Sequence, residues 1–374
     1  MLSSEAQMQG EKGALEVTLL DQAKNVPSHI PELDGIRGIA VFLVIFHHLA
    51  QSGLTAQHSR FLYYWLKLTH VGWMGVDVFF ALSGFLITRN LIGMRQRPHF
   101  YRNFYARRVL RLLPPYLLTI LLVFIFVPKS GSFLLLSCVY LANFSTLFGV
   151  SMVYGPLWSL AVEEHFYLIW PWLVRAFSFR SLFWISLAGI VLSPIARFVA
   201  IHYGIFNPYQ SWYRFDGLLW GAMLALLLEN PVVSRQAVVR WSVIASVASI
   251  ALFVAGSFLD GMGRSSILGS TMTFSLTALF SSGIIGLSAL GAAPRLTAPL
   301  RSSVLGFLGD ISYWLYLIHA LVIELTLRWL PVHMAAVARY CAATGIVLSV
   351  SILSGVLVRR FIELPVRRLK SHFR

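Results

Sequence analysis

A chain of 374 residues that is 57% hydrophobic and only 12% charged is no ordinary soluble domain, in which roughly a quarter of residues carry charge. Its net charge of +15 would suit nucleic acid, but the arginines gather in "MRQRPHFYRNFYARRVLR" and "RRFIELPVRRLKSHFR", between apolar runs. That is the cytoplasmic bias of a membrane protein facing anionic lipid head groups, so membrane lipids and no nucleic acid are the expected partners.

Residues 1–30 are polar and slightly acidic, without a basic start, apolar core and small-residue cleavage site. A disordered N-terminal tail, not a signal peptide, is expected there. Apolar windows then follow at about 33–52, 71–93, 112–128, 132–148, 157–177, 182–202, 214–229, 240–258, 267–290, 311–330 and 336–358. Many approach the ~20 residues that cross a hydrocarbon core. They are too long for barrel strands, and backbone groups in lipid must be satisfied internally. The expected fold is all-α, a polytopic membrane bundle of about ten transmembrane helices around a central cavity.

Charge tests the parity of these windows. The loop with Arg95, Arg97, Arg102, Arg107, Arg108 and Arg111 is expected in the cytoplasm, as is the tail from Arg359. Arg175/Arg180, Arg235/Arg240 and Arg295/Arg301 mark weaker cytoplasmic candidates. Alternation then lets 112–148 cross only once, so about ten crossings are expected. One of its two windows, split by "VPKSG", would be broken, re-entrant or interfacial. Both termini would face the cytoplasm of a multi-pass protein in the cell (inner) membrane. One membrane domain is expected over 31–368, with a basic end at 369–374.

Ionisable groups inside such windows cost on the order of 3 kcal/mol at mid-bilayer and therefore face protein or water. In "LDGIRGIAVFLVIFHHLA", Arg37 precedes His48 by eleven residues. At about 100° per residue that is about 1100°, roughly 20° from three full turns, so both share one face about 16 Å apart. His47 lies about 100° round from His48. Asp34, three residues before Arg37, shares the stripe and can pair with it.

"GWMGVDVFFALSGFLITRNL" carries Asp77 as its sole charge before Arg89, while Ser83 and Gly84 allow close approach of a helix or a ligand. "FYARRVLRLLPPY" gathers Arg107, Arg108 and Arg111, either facing lipid head groups or forming a phosphate clamp. In "YGPLWSLAVEEHFYLIWPW", Glu163, Glu164 and His165 fan round the helix, so at least one enters the interior. Glu163 there forms either a structural ion pair or a functional group. "YRFDGLLWGAMLALLL" reads as an interfacial pair between Arg214 and Asp216. "ISYWLYLIHALVIE" places His319 within a span, most simply as a helix contact. Cys138 and Cys341 lie far apart in apolar segments, where core packing is expected and no disulfide or metal site follows.

Together with "RRFIELPVRR", these stretches occur in the order that resembles the acyltransferase 3 family of integral-membrane acyltransferases, over roughly residues 31–368. The resemblance implies an enzyme that moves an acyl group, commonly acetyl, from cytoplasmic acyl-CoA to a hydroxyl of a carbohydrate or glycosylated acceptor. It makes His48 the essential histidine, aligned with Arg37, and puts the family's basic motif on Arg107, Arg108 and Arg111. Its glutamate falls on Glu163, in the motif that contains Trp158. Trp158, Asp77, Ser83, Gly84 and His319 are expected to line the cavity or pack helices. No bound cofactor and no metal is expected, acyl-CoA being a substrate. His165 stands where glutamine is common, and Trp314 where the residue is usually smaller. Some relatives add a hydrolase-like domain; none is expected here, and on that expectation the acceptor would be met by the membrane domain or by a separate partner.

On this reading Arg107, Arg108 and Arg111 receive the phosphates of coenzyme A, with Arg37 near the mouth and Asp34 orienting it. The pantetheine arm runs along the polar line to His48, which acts as general base or as covalent acyl carrier. Glu163 or Asp77 would tune the polarity of the cavity. The rival is a transporter or flippase of an anionic glycolipid, in which His48 relays protons.

Overall fold

Pro31 opens helix α1 (Pro31–Gln51), where its missing N–H costs nothing, and Glu32 and Asp34 complement the positive end of the helix dipole. The structure, a computed structural model, describes residues 26–27, 29–52, 59–259 and 266–369. Most of the expected N-terminal tail, and the basic end after residue 369, lie outside the described residues. Helix α2 (Arg60–His70) is capped by Ser59, whose Oγ accepts from the Leu62 N–H at 3.2 Å. It runs through a 3₁₀ turn at Val71–Trp73 into α3 (Met74–Met94). The chain continues through α4 (Phe100–Phe126), α5 (Gly131–Cys138), a 3₁₀ segment (Ala142–Phe148), α6 (Leu157–Ala176) and α7 (Phe179–His202). Then come α8 (Phe215–Glu229), α9 (Arg235–Leu259), α10 (Ile267–Ala289), α11 (Pro294–Thr297), α12 (Ser303–Trp329), α13 (Ala336–Val358) and α14 (Leu364–Leu369).

Among the described residues, eight helices are long and apolar enough to cross a membrane, α2 and α3 counting as one. Two further helices fall outside that criterion. Glu163, Glu164 and His165 make α6 more polar, and α8 has only 15 residues. The window 132–148 is not a span. After α5, Tyr140 takes a left-handed φ of 58°, and the Leu141 N–H bonds back to the Leu136 carbonyl at 2.8 Å. This closes the helix after two turns.

Helices α1, α3, α8, α10 and α12 form the interior, whereas α4, α7, α9 and α13 turn apolar faces outward. Leu121 and Phe124 on α4, Leu192 and Phe198 on α7, and Leu353 on α13 are exposed, as side chains that meet lipid should be. Cys138 and Cys341, expected in the core, are also exposed. They sit on outer elements, where an apolar side chain meets lipid instead of protein.

Two close crossings position the site. A Cβ on Gly84 would lie 1.8 Å from the Leu218 carbonyl oxygen, and one on Gly221 would lie 1.9 Å from that of Ala81. Backbone therefore meets backbone between α3 and α8. Between α1 and α12, a Cβ on Gly309 would lie 2.0 Å from the Asp34 carbonyl oxygen, and one on Gly38 2.6 Å from that of Leu305. Of the two roles open to Gly84, the structure places it in helix packing. Gly84→Leu is expected to cost about 1–3 kcal/mol through overpacking. The measurement is the thermal unfolding temperature of the purified protein in detergent, which should fall below that of the parent.

Candidate active site

The α1–α12 crossing brings the N-terminal half of α1 against α12 and opens a cavity of about 150 Å³ between them, α3, α4 and α6. Arg37, Arg108 and Arg111 line it together with Ser83, Ser159, Glu163, Tyr167 and Tyr316. Arg37 donates to Asp34, which also takes a bond from His29 at 2.8 Å. Arg108 is held from two sides. Its Nε and Nη2 donate to Glu164 Oε1 at 3.2 and 3.1 Å, and its guanidinium lies 3.0 Å from the centre of the Tyr167 ring. Glu163 accepts from Ser83 Oγ at 3.0 Å and from the Tyr167 hydroxyl at 3.1 Å.

The fan of ionisable groups on α6 thus resolves into three directions. Glu163 faces this cavity, Glu164 meets Arg108, and His165 Nδ1 lies 2.7 Å from Ser211 Oγ. Arg107 is not among the residues that line the cavity, although Arg108 and Arg111 are.

A second cavity, of about 120 Å³, lies toward the C-terminal end of α1. His47, His48, Gln51, Trp158, Tyr209 and Arg214 contribute to its wall. Val76 and Tyr316 line both cavities, so one thin partition separates them. The Tyr316 hydroxyl lies 2.5 Å from Ser159 Oγ, which fixes the ring in that partition. His48 Nδ1 lies 2.9 Å from the Val44 carbonyl oxygen and 3.2 Å from Nε2 of the fully buried His319.

Arg214 does not pair with Asp216, its expected partner. It donates to Asp77 at 2.6 Å, with its guanidinium 3.9 Å from the centre of the Phe274 ring and 5.3 Å from that of Trp158. Asp216 instead accepts from Arg197 at 2.8 Å and from Ser275. The reason is helical geometry, since residues two apart do not face each other. That spacing was the available sign that Arg214 reaches elsewhere. Tyr316 and Tyr209 carried no comparable sign, because an aromatic residue in an apolar run is ordinary.

The structure therefore groups Arg37, Arg108, Arg111, Ser83 and Glu163 round one cavity, and His48 and Trp158 round the next. Asp34 lies behind Arg37, and Asp77 behind Arg214. Breaking the buried Asp77–Arg214 pair from either side is expected to cost about 3–5 kcal/mol. Asp77→Ala and Arg214→Ala are therefore each expected to unfold the protein at lower temperature. The double variant should lose less than the sum of the two, a coupling that a double-mutant cycle in detergent measures.

A family model described as an acyltransferase domain matches residues 30–356. Over 379 residues the chain is 27% identical to the peptidoglycan O-acetyltransferase OatA of Listeria monocytogenes, an alignment that covers 91% of this chain and 56% of that protein. It is also 27% identical over 384 residues to the O-acetyltransferase OatA of Staphylococcus aureus, covering 91% of this chain and 58% of that protein. The chain thus spans little more than half the length of these relatives. No solved structure matches it.

Proposed function

The chain belongs to the acyltransferase domain family, and from that premise we propose that it is a membrane-embedded O-acetyltransferase acting on a carbohydrate hydroxyl. The observation that carries this reading is the shared partition. Val76 and Tyr316 join a guanidinium-lined cavity to the one that His48 borders. The relatives named above suggest acetyl as the group and a glycan, such as peptidoglycan, as the acceptor.

The donor is acetyl-CoA, which enters from the cytoplasm of the cell. The arginine-rich segment that follows α3 and runs through the first turns of α4 supports this side, being the basic flank expected there. Both termini then lie on that side too. Arg37, Arg108 and Arg111 receive the phosphates, since guanidinium forks bind multiply anionic groups well. Arg107 contributes long-range charge at the mouth. Asp34 orients Arg37, and Glu163, held by Ser83 and Tyr167, sets the polarity of the passage. The thioester reaches the partition at Tyr316, and the acceptor hydroxyl occupies the cavity of His48.

The Val44 carbonyl can only accept a hydrogen bond, so His48 Nδ1 carries a proton and Nε2 is the base. His48 Nε2 takes the hydroxyl proton as the acceptor oxygen attacks the thioester carbonyl. The new C–O bond forms, the C–S bond breaks, and the imidazolium returns its proton to the departing thiolate. Direct transfer in this way needs no covalent acyl-enzyme.

His48→Ala is expected to lower transfer from radiolabelled acetyl-CoA to carbohydrate by ~10²–10⁴-fold. His47→Ala should lower it much less. Equal losses in the two variants, or full transfer by His48→Ala, would reject the assignment. Each of Arg37→Ala and Arg111→Ala removes charge-assisted bonds worth about 1.5–3 kcal/mol. Either is therefore expected to raise the KM for acetyl-CoA by roughly 10–100-fold, and an unchanged donor saturation curve would count against the phosphate site.

A further inference from the structure

His319 is the one ionisable side chain on α12 with no accessible surface, and the transfer scheme above does not use it. Its Nδ1 lies 2.7 Å from the Tyr316 carbonyl oxygen, one turn back on its own helix. Its Nε2 lies 3.2 Å from His48 Nδ1. Both Nδ1 atoms therefore face a carbonyl that can only accept, that of Tyr316 for His319 and that of Val44 for His48. Each Nδ1 must carry its proton. In the neutral pair, the proton between the rings then belongs to His48, and His319 Nε2 is its acceptor.

This arrangement has a direction. The helix of His319 fixes its tautomer, and that tautomer presents a lone pair to His48. His48, whose two hydrogen-bond contacts both fall on Nδ1, lines the second cavity, which leaves Nε2 as the nitrogen for the acceptor. An acceptor that bonds one ring nitrogen of a histidine fixes both tautomer and ring orientation, which is how buried carboxylates and carbonyls act on working histidines elsewhere. Here the acceptor is a neutral imidazole, and the burial of His319 keeps water from competing for the bond.

We infer that His319 is a positioning residue for His48: its Nε2 accepts the Nδ1–H bond that orients the His48 ring and holds the imidazolium formed when Nε2 takes the acceptor proton. Val44 shares the same hydrogen in a bifurcated bond, so loss of His319 weakens the restraint without abolishing it. The inference rests on His48 as the general base. A bland alternative makes His319 only a filler between α1 and α12, in which case volume alone would matter.

The test compares His319→Leu, which keeps bulk without an acceptor, with His319→Gln, whose amide oxygen can take the place of Nε2. The full chain in lipid nanodiscs is assayed with acetyl-CoA and peptidoglycan glycan strands. His319→Leu is expected to lower kcat by ~10–100-fold, the scale seen when the hydrogen-bond partner of a metal-ligating histidine is removed, with the KM for acetyl-CoA unchanged. His319→Gln should recover part of that loss. Wild-type kcat in His319→Leu, or equal losses in the Leu and Gln variants, would overturn the role.

A second measurement does not depend on turnover. In ¹⁵N-histidine spectra of the wild-type chain in bilayers, His48 should show a protonated Nδ1 whose hydrogen bond is accepted by His319 Nε2. That signature should vanish in His319→Leu, and its absence from wild type would overturn the inference even if no acceptor is acetylated. Should His48→Ala retain transfer while the spectroscopic contact is present, the general-base reading fails by itself. Should His48→Ala be inactive while His319→Leu is fully active, only the positioning role fails.

Discussion

The first turn of α8 holds the site together, because its two charges leave it in different directions. Arg214 reaches Asp77 on α3, and Asp216 reaches Arg197 on α7. Arg197 in turn donates to the carbonyls of Thr271 and Tyr213, so the same turn also binds α10 and the segment that leads into α8. Four charges that would be costly in an apolar layer are retained as two neutral pairs with additional hydrogen bonds. Their shared anchoring point stands beside the cavity of His48, where Arg214 forms part of the wall.

Around that anchor, the bundle separates two kinds of helix. The outer helices turn leucine, isoleucine and phenylalanine outward and keep polar groups such as Arg197 and Ser186 on α7 and Ser242 on α9 on the buried side. The inner ones bring backbones together through glycine and reserve their polar side chains for one another or for the cavities. Lipid supplies no hydrogen-bond partners, so every polar side chain left at depth needs either a protein partner or a wet cavity. The two cavities are where that demand is left for ligands to meet. Val76 and Tyr316 line both, so in the proposed scheme their partition is where donor and acceptor would meet.

The pairing of His48 with His319 depends on the same economy of backbone spacing. Gly38 and Gly309 let α1 and α12 run close enough for two imidazoles from different helices to share a hydrogen. A histidine that reads as an ordinary helix contact by itself becomes informative once its neighbour is known.

Composition, apolar run length and arginine placement were enough to determine an all-helical membrane protein. Helical periodicity was enough to align Asp34, Arg37 and His48, because these properties depend on nearest neighbours along the chain and on the solvent. The break in 132–148 was also foreshadowed by charge parity, although the left-handed Tyr140 that makes it was not. What only the tertiary structure decided was partnership. Asp77 and Arg214 stand 137 residues apart, and His48 and His319 stand 271 apart. Which charge meets which is set by helix crossings, and crossings follow from small residues fitting across space, a relation that spacing along one chain does not contain.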